Sequence, residues 1–168
     1  GKEAEYVGYI GDSAHALLDL INSVLDFSKI EAGRIEIHHE PFNLRALVRT
    51  VVGPLGVQAE SKNLSLDWNI HDDTPDSVHG DRGKLTEMLN NLLGNAINYT
   101  QEGGITLSVH AVEQHENRAV VAFRVQDTGP GIAADRLQDI FEKFSRVNDG
   151  SSSTPAGTGL GLTIVKKL

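Results

Sequence analysis

The chain has 168 residues, 39% of them hydrophobic, with no cysteine and a net charge of −8. That size supports one domain with an added arm and an ordinary apolar core, while the missing cysteine excludes disulfides and thiolate metal sites. The acidic balance argues against nucleic acid as a partner, because phosphate contacts need clustered Lys and Arg, and no apolar run reaches the roughly 20 residues of a membrane helix.

Residues 3 to 32 predict one long helix. Val7, Ile10, Ala14, Leu17, Ile21 and Val24 recur at alternating spacings of three and four, and Leu18 and Leu25 widen the stripe. This is a heptad seam. Such a stripe needs a second helix to cover it, so a dimer-forming bundle is expected, with a bundle inside one chain as the other reading. Gly33 suits the C′ position. Arg34 to His38 alternates and predicts a short strand. Asn43 predicts the N-cap of a helix to about Glu60, which Gly53-Pro54 should kink or end early. Leu64 to Ile70 alternates and predicts a strand, and Asp72 to Asp76 a turn. Asp81 predicts the N-cap of a helix with Leu85, Met88, Leu89, Leu92, Leu93 and Ala96 on one face. Ile105 to Val112 and Ala119 to Val125 predict strands joined by a turn around Glu113 to Asn117. Ala133 to Phe141 predicts a short helix. Ser145 to Gly159 is rich in Ser, Gly and Thr and predicts a mobile loop. A last helix begins near Leu160 and reaches Lys166-Lys167-Leu168 without a C-cap signal, so the natural chain is expected to continue. The sum is an α/β sandwich, one mixed or antiparallel sheet with helices on one face, behind a helical arm.

Four segments carry the chemistry. On the helix from Asp81, Asn91, Asn95 and Asn98 are spaced by four and three and share a face opposite the apolar stripe. Amide oxygens can bind a hard cation such as Mg²⁺; a solvated polar face is the other reading. Asp127 ends a strand and is followed by Thr128-Gly129-Pro130-Gly131-Ile132. A carboxylate there can accept from the exocyclic amine of adenine, whereas it would repel the carbonyl of guanine. Gly129 and Gly131 let a flat base approach the backbone. An ordinary Asp-Thr-Gly turn is the alternative. In Phe141-Glu142-Lys143-Phe144-Ser145-Arg146, the two aromatics could close a pocket or fill a core, and Lys143 and Arg146 could meet phosphate charge. Gly157-Thr158-Gly159-Leu160-Gly161-Leu162 runs from loop into helix and exposes backbone N–H groups to phosphate oxygens. Its glycine spacing is not that of the dinucleotide fingerprint.

Together and in this order, the Asn-rich helix, the Asp-x-Gly-x-Gly-Ile turn, Phe-x-x-Phe and Gly-x-Gly-x-Gly resemble the nucleotide-binding boxes of the histidine kinase ATPases. Leu20 to Gly33 resembles the second helix of the dimerisation bundle in hybrid-type sensor kinases, and Pro41-Phe42-Asn43-Leu44 the entry to their catalytic domain. The resemblance implies a two-layer α/β sandwich of the histidine kinase-like ATPase fold behind a long bundle-forming helix. Residues 1–33 would be the partial bundle and 34–168 the ATP-binding domain, its last strands missing. It implies ATP and Mg²⁺ as cofactors. Asn91 and Asn95 would handle phosphate and metal, Tyr99 would line the pocket, Asp127 would bind the adenine amine, and Gly129, Gly131 and Ile132 would shape the base site. Arg146 would approach the terminal phosphate, and Gly157, Thr158, Gly159, Leu160 and Gly161 would cover the phosphates at the end of a lid from Ser145.

The resemblance also implies transfer of the ATP γ-phosphoryl group to a histidine in a His-Glu-x-x-x-x-Pro helix, which would precede this chain. His15 lacks the acidic neighbour of such a histidine, so no catalytic residue is expected within the chain. Asn98 stands where the family often has Lys or Arg, which removes one cation from the phosphate site. The implied partners are a second copy through the N-terminal bundle and a receiver domain, not nucleic acid. The implied location is the cytoplasmic portion of a parent anchored in the inner or plasma membrane by other segments. Two other functions share the fold: an ATP-hydrolysing switch and a non-catalytic regulatory module. The hydrolysing relatives carry Glu where this chain has Asn91, and an amide cannot take a proton from water.

Overall fold

A computed structural model describes residues 6–8, 10–11, 14, 17–18, 21, 24–25, 28, 31–32, 36–116, 118–137, 139–142 and 159–168. The chain divides into two compact units, one made of residues 1–36 and 138–167, the other of residues 37–137 with Leu168.

The second unit carries most of the regular structure. Strand β1 is Glu40–Asn43 and leads directly into helix α2, Leu44–Ser61; the earlier helical residues, between 6 and 31, are called α1. Strands β2, Ser65–Ile70, and β3, Ser77–Gly80, come next, then helix α3, Arg82–Tyr99. Strands β4, Gly104–His115, and β5, Arg118–Asp127, form the closing hairpin. The main sheet has the order β2-β4-β5, parallel between β2 and β4 and antiparallel between β4 and β5. Of the two sheet types expected, mixed or antiparallel, the main sheet is the mixed one. A second, two-stranded sheet pairs β1 with β3 antiparallel, Glu40 opposite Gly80.

Both long helices start as their sequences require. Asn43 accepts the Ala46 N–H through its side-chain oxygen at 2.7 Å, and Asp81 accepts the Lys84 N–H at 2.8 Å. Their apolar stripes meet the alternate residues of the sheet. Leu47, Val48 and Val51 of α2, Leu89, Leu93 and Ile97 of α3, and Ile105, Leu107 and Val109 of β4 all lie in one buried core. Arg45 locks the start of α2 to the turn before β3, donating to the Asp76 carboxylate and the His71 carbonyl.

Several expectations change. Of the strand expected at Arg34 to His38, residues 34 and 35 lie outside the described residues and 36–38 carry no ladder; a strand lies at Glu40–Asn43, and the His38 N–H donates to Asp81 Oδ2 at 2.9 Å. The reason is its partner: β3, which sequence reading did not assign, reaches only residues 40–43. Pro54 does not end α2, which runs seven residues past it. A helix-interior proline costs about 3 kcal/mol, and burial of Leu47, Val48, Val51, Val52 and Ala59 on the same helix offsets it. The β4–β5 strands outrun their expected ends, with an extra residue at Val112 where the register shifts. Ala133 to Phe141 is not one helix but two 3-10 turns, Ala134–Arg136 and Asp139–Phe141; Ala133 supplies no side-chain cap.

In the first unit, the described residues of α1 keep their apolar stripe uncovered: Val7 and Ile10 are each 68% exposed, and Leu17, Leu18 and Leu25 are more than half exposed. The same unit holds helix α4, Gly161–Lys167, where the Thr163 hydroxyl donates to the Phe141 carbonyl at 3.0 Å and the Lys166 ammonium lies 5.3 Å from the Phe141 ring centre. Phe141 is thus bound into local structure. His15, Gly33, the Asn117 turn residue, Phe144 and the loop 145–158 lie outside the described residues. Among the described residues no helix is long and apolar enough to cross a membrane.

Candidate nucleotide site

Helix α3 positions the first group. Burying Leu89, Leu93, Ala96 and Ile97 turns the opposite face outward, and that face carries Asn91, Asn95 and Asn98, all half-buried. Among the described residues no hydrogen bond engages the amides of Asn91 or Asn95. Both amide oxygens are therefore without a hydrogen-bond partner among the described residues. Asn98 differs: its Oδ1 accepts from the Lys62 ammonium at 2.8 Å. Tyr99 ends the helix and is 45% exposed.

Strand β5 positions the second group. Its last residue, Asp127, pairs with Ile105, and the chain then turns. The Gly129 N–H donates to Asp127 Oδ1 at 2.8 Å, an Asx turn that fixes the carboxylate while Oδ2 has no partner among the described residues. A carboxylate held by one oxygen and open at the other suits a single external N–H donor. Gly129 is required by close approach. A Cβ there would lie 2.8 Å from Asp127 Oδ1, 3.1 Å from the Tyr99 carbonyl oxygen and 3.5 Å from Thr100 Oγ1. The turn therefore sits directly on the C-terminal end of α3. Gly131 has φ +73°, a conformation that favours glycine. Ile132 follows, 44% exposed.

Thr128 bolts the turn in place. Its hydroxyl donates to the Glu102 carbonyl at 2.7 Å and accepts the Gly104 N–H at 3.0 Å, while its own N–H donates to the Gly104 carbonyl. The loop after α3 and the turn after β5 are thereby joined. Sequence reading missed both Thr128 as a bolt and Lys62 as a neighbour of Asn98. A threonine after an aspartate carries no such signal, and Lys62 lies 36 residues from Asn98.

Gly159, Leu160 and Gly161 belong to the first unit. Gly159 has φ +69°, Leu160 is fully buried, and Gly161 begins α4. Lys143, Arg146, Gly157 and Thr158 lie outside the described residues. His71 and His110 rings stand 5.8 Å apart and tilted, and among the described residues no group of three His, Asp or Glu side chains could hold a metal ion.

The family described as histidine kinase-, DNA gyrase B-, and HSP90-like ATPase matches residues 80–168, which include α3, the Asp127 turn and α4. The chain is 41% identical over 167 residues to the sensor histidine kinase GacS of Pseudomonas protegens, covering 99% of this chain and 18% of that protein. It is 37% identical over 166 residues to the signal transduction histidine-protein kinase BarA of Escherichia coli, again 99% and 18%. The chain thus spans about a fifth of the length of these relatives. Among solved structures, full-length ShkA in complex with AMPPNP is similar over 99% of this chain and 33% of that one, with 34% identity and a TM-score of 0.81. The catalytic domain of histidine kinase ThkA is similar over 77% and 78%, with 26% identity and a TM-score of 0.59. With its Asn-bearing helix packed on an Asp-Thr-Gly turn and more than half its length matched, the chain belongs to the histidine kinase-, DNA gyrase B-, and HSP90-like ATPases, and its relatives there are sensor histidine kinases.

Proposed function

We propose that this chain is the ATP-binding catalytic core of a two-component sensor histidine kinase, which passes the ATP γ-phosphoryl group to a histidine on a segment outside this sequence. One observation supports the reading above the others: the open carboxylate of Asp127 is held against the end of the helix whose outer face carries Asn91 and Asn95. A base recogniser and a phosphate-and-metal face are thus neighbours.

The roles follow from the groups. Asp127 Oδ2 accepts from the adenine amine, and its Oδ1 stays fixed by the Gly129 N–H. Gly129 and Gly131 keep side chains away from the base, with Ile132 and Tyr99 as apolar and aromatic lining. Asn91 and Asn95 would hold Mg²⁺ through their amide oxygens, which fits their lack of hydrogen-bond partners among the described residues. Such an ion supplies charge neutralisation along the phosphates. Phosphoryl transfer depends mainly on positioning and charge, so the chain's task is to present the terminal phosphate. Lys143, Arg146 and the Gly157–Gly161 run are assigned to the phosphates by resemblance. Asn91 cannot serve as a base toward water, which favours transfer over hydrolysis.

The parent would dimerise through the exposed α1 stripe and pass its phosphoryl group to a receiver domain. This chain would lie on the cytoplasmic side of a membrane-anchored parent.

The test combines calorimetry with transfer. Mg-ATP should bind, Mg-GTP at least tenfold more weakly. With radiolabelled ATP and a histidine-bearing bundle supplied as a separate polypeptide, the expected product is an acid-labile phosphohistidine. Free phosphate without phosphohistidine would replace the kinase reading with a hydrolysing switch. No nucleotide binding at all would leave a regulatory module.

A further inference from the structure

We propose that Lys62 is a positioning residue for the phosphate end of this site, acting through Asn98; this rests on the ATP-binding reading above. Lys62 caps the C-terminal end of α2, and its ammonium reaches across to α3, 2.8 Å from Asn98 Oδ1 and 3.3 Å from the Ile97 carbonyl oxygen. An ammonium only donates, and of the two ends of an amide only the oxygen accepts. The contact therefore selects one orientation of Asn98, in which its NH₂ is the end turned away from Lys62.

Asn98 continues the face of Asn91 and Asn95 by one turn. The three amides are not equivalent. Asn91 and Asn95, with no hydrogen-bond partner among the described residues, can offer oxygens, as a hard cation requires. Asn98, with its oxygen occupied, offers N–H donors, as a phosphate oxygen requires. The face is thereby graded from cation ligands to anion donors.

Charge points the same way. The polar face of α3 from Asn91 onward carries no cationic side chain of its own, and Lys84 near the other end of the helix pairs with Glu87 at 2.8 Å. Lys62 is exposed, and among the described residues no carboxylate forms an ion pair with it. With no such pair among the described residues, its charge acts on Asn98 and polarises the amide toward an anion. A pure capping role, satisfying the end carbonyls of α3, would need the Ile97 contact but not the shorter one to Asn98.

The experiment measures the affinities of the whole chain for Mg-ATP and for adenosine, with melting temperature alongside. The variants are Lys62→Met, Lys62→Arg, Asn98→Ala and the Lys62→Met/Asn98→Ala pair. Lys62→Met should weaken Mg-ATP by about tenfold and leave adenosine unchanged, and Lys62→Arg should restore most of the loss. The double variant should be no weaker than Asn98→Ala alone. An unchanged Mg-ATP affinity in Lys62→Met, equal losses for ATP and adenosine, or additive losses in the double variant would each overturn the proposal. Asp127→Asn serves as the separate control. If it fails to weaken adenosine binding, the base site is wrong, whatever Lys62 does.

Discussion

Helices α2 and α3 are each 18 residues long, each begins at an Asx cap, and each buries one apolar stripe in the shared core. They differ on the side that is not buried. The outer side of α2 includes Gly53, Pro54, Gly56 and Val57; a Cβ at either glycine would meet nothing within 4 Å, and Val57 is 69% exposed. The outer side of α3 carries three amides and runs into the Asp127 turn, where a single added carbon at Gly129 would collide. The same local rules build both helices. What separates the two helices is what the helix end touches, and α3 ends against a strand terminus whose Asp127 Oδ2 has no partner among the described residues.

That comparison can be broken at four points. The largest effect belongs to what the helices share. Leu93→Ala in α3 and Leu47→Ala in α2 each remove a buried side chain and should each cost about 2–5 kcal/mol in urea unfolding. A large loss in one and almost none in the other would show that they do not lean on one core. Next comes what they do not share. Asp127→Asn should weaken Mg-ATP by about 1.5–3 kcal/mol at an unchanged melting temperature, while Val57→Ser on α2 should leave nucleotide affinity where it was. Gly129→Ala should follow, costing about 1–3 kcal/mol in ATP affinity, as the turn moves off the Tyr99 carbonyl; wild-type affinity would mean that the turn need not touch α3.

The caps give the smallest effect and the finest comparison. Asn43→Ala and Asp81→Ala should each cost about 0.5–2 kcal/mol, measured by urea unfolding, but only one should depend on pH. The Lys84 N–H first, and the His38 N–H second, hold the Asp81 carboxyl below its ordinary 3.8. A depressed folded-state pKa stabilises the protein above the ordinary value, and the stabilisation is lost as pH falls through the folded value. The difference between wild type and Asp81→Ala should therefore be full at neutral pH and shrink in the acid limb, while that for Asn43→Ala stays flat. Parallel curves would show that the Asp81 charge contributes nothing.

Much of α3 was legible in advance because its signals are local. An N-cap aspartate, a stripe at helical spacing and three amides on the far side all lie within one run of sequence. The Asp127 turn was legible for the same reason, as a strand that stops at a carboxylate followed by glycines. Strand β3 was not, since four residues of Ser-Val-His-Gly become a strand only by pairing with β1, nearly forty positions earlier. That α2 continues past Pro54 was not legible either, since the local penalty of a proline is offset by burial of other residues on that helix.

By itself, then, the sequence determined where α2 and α3 begin, which of their faces turn inward, and which side chains could meet a purine and its phosphates. Caps, periodicity and glycine turns act within a few residues, so composition and order suffice to specify them. The tertiary structure alone decided that Thr128 bolts the Asp127 turn to the loop after α3, that Gly129 rests on the Tyr99 carbonyl, and that Lys62 takes the oxygen of Asn98. Those contacts join atoms far apart along the chain, and only the packing of the core brings them within hydrogen-bonding range.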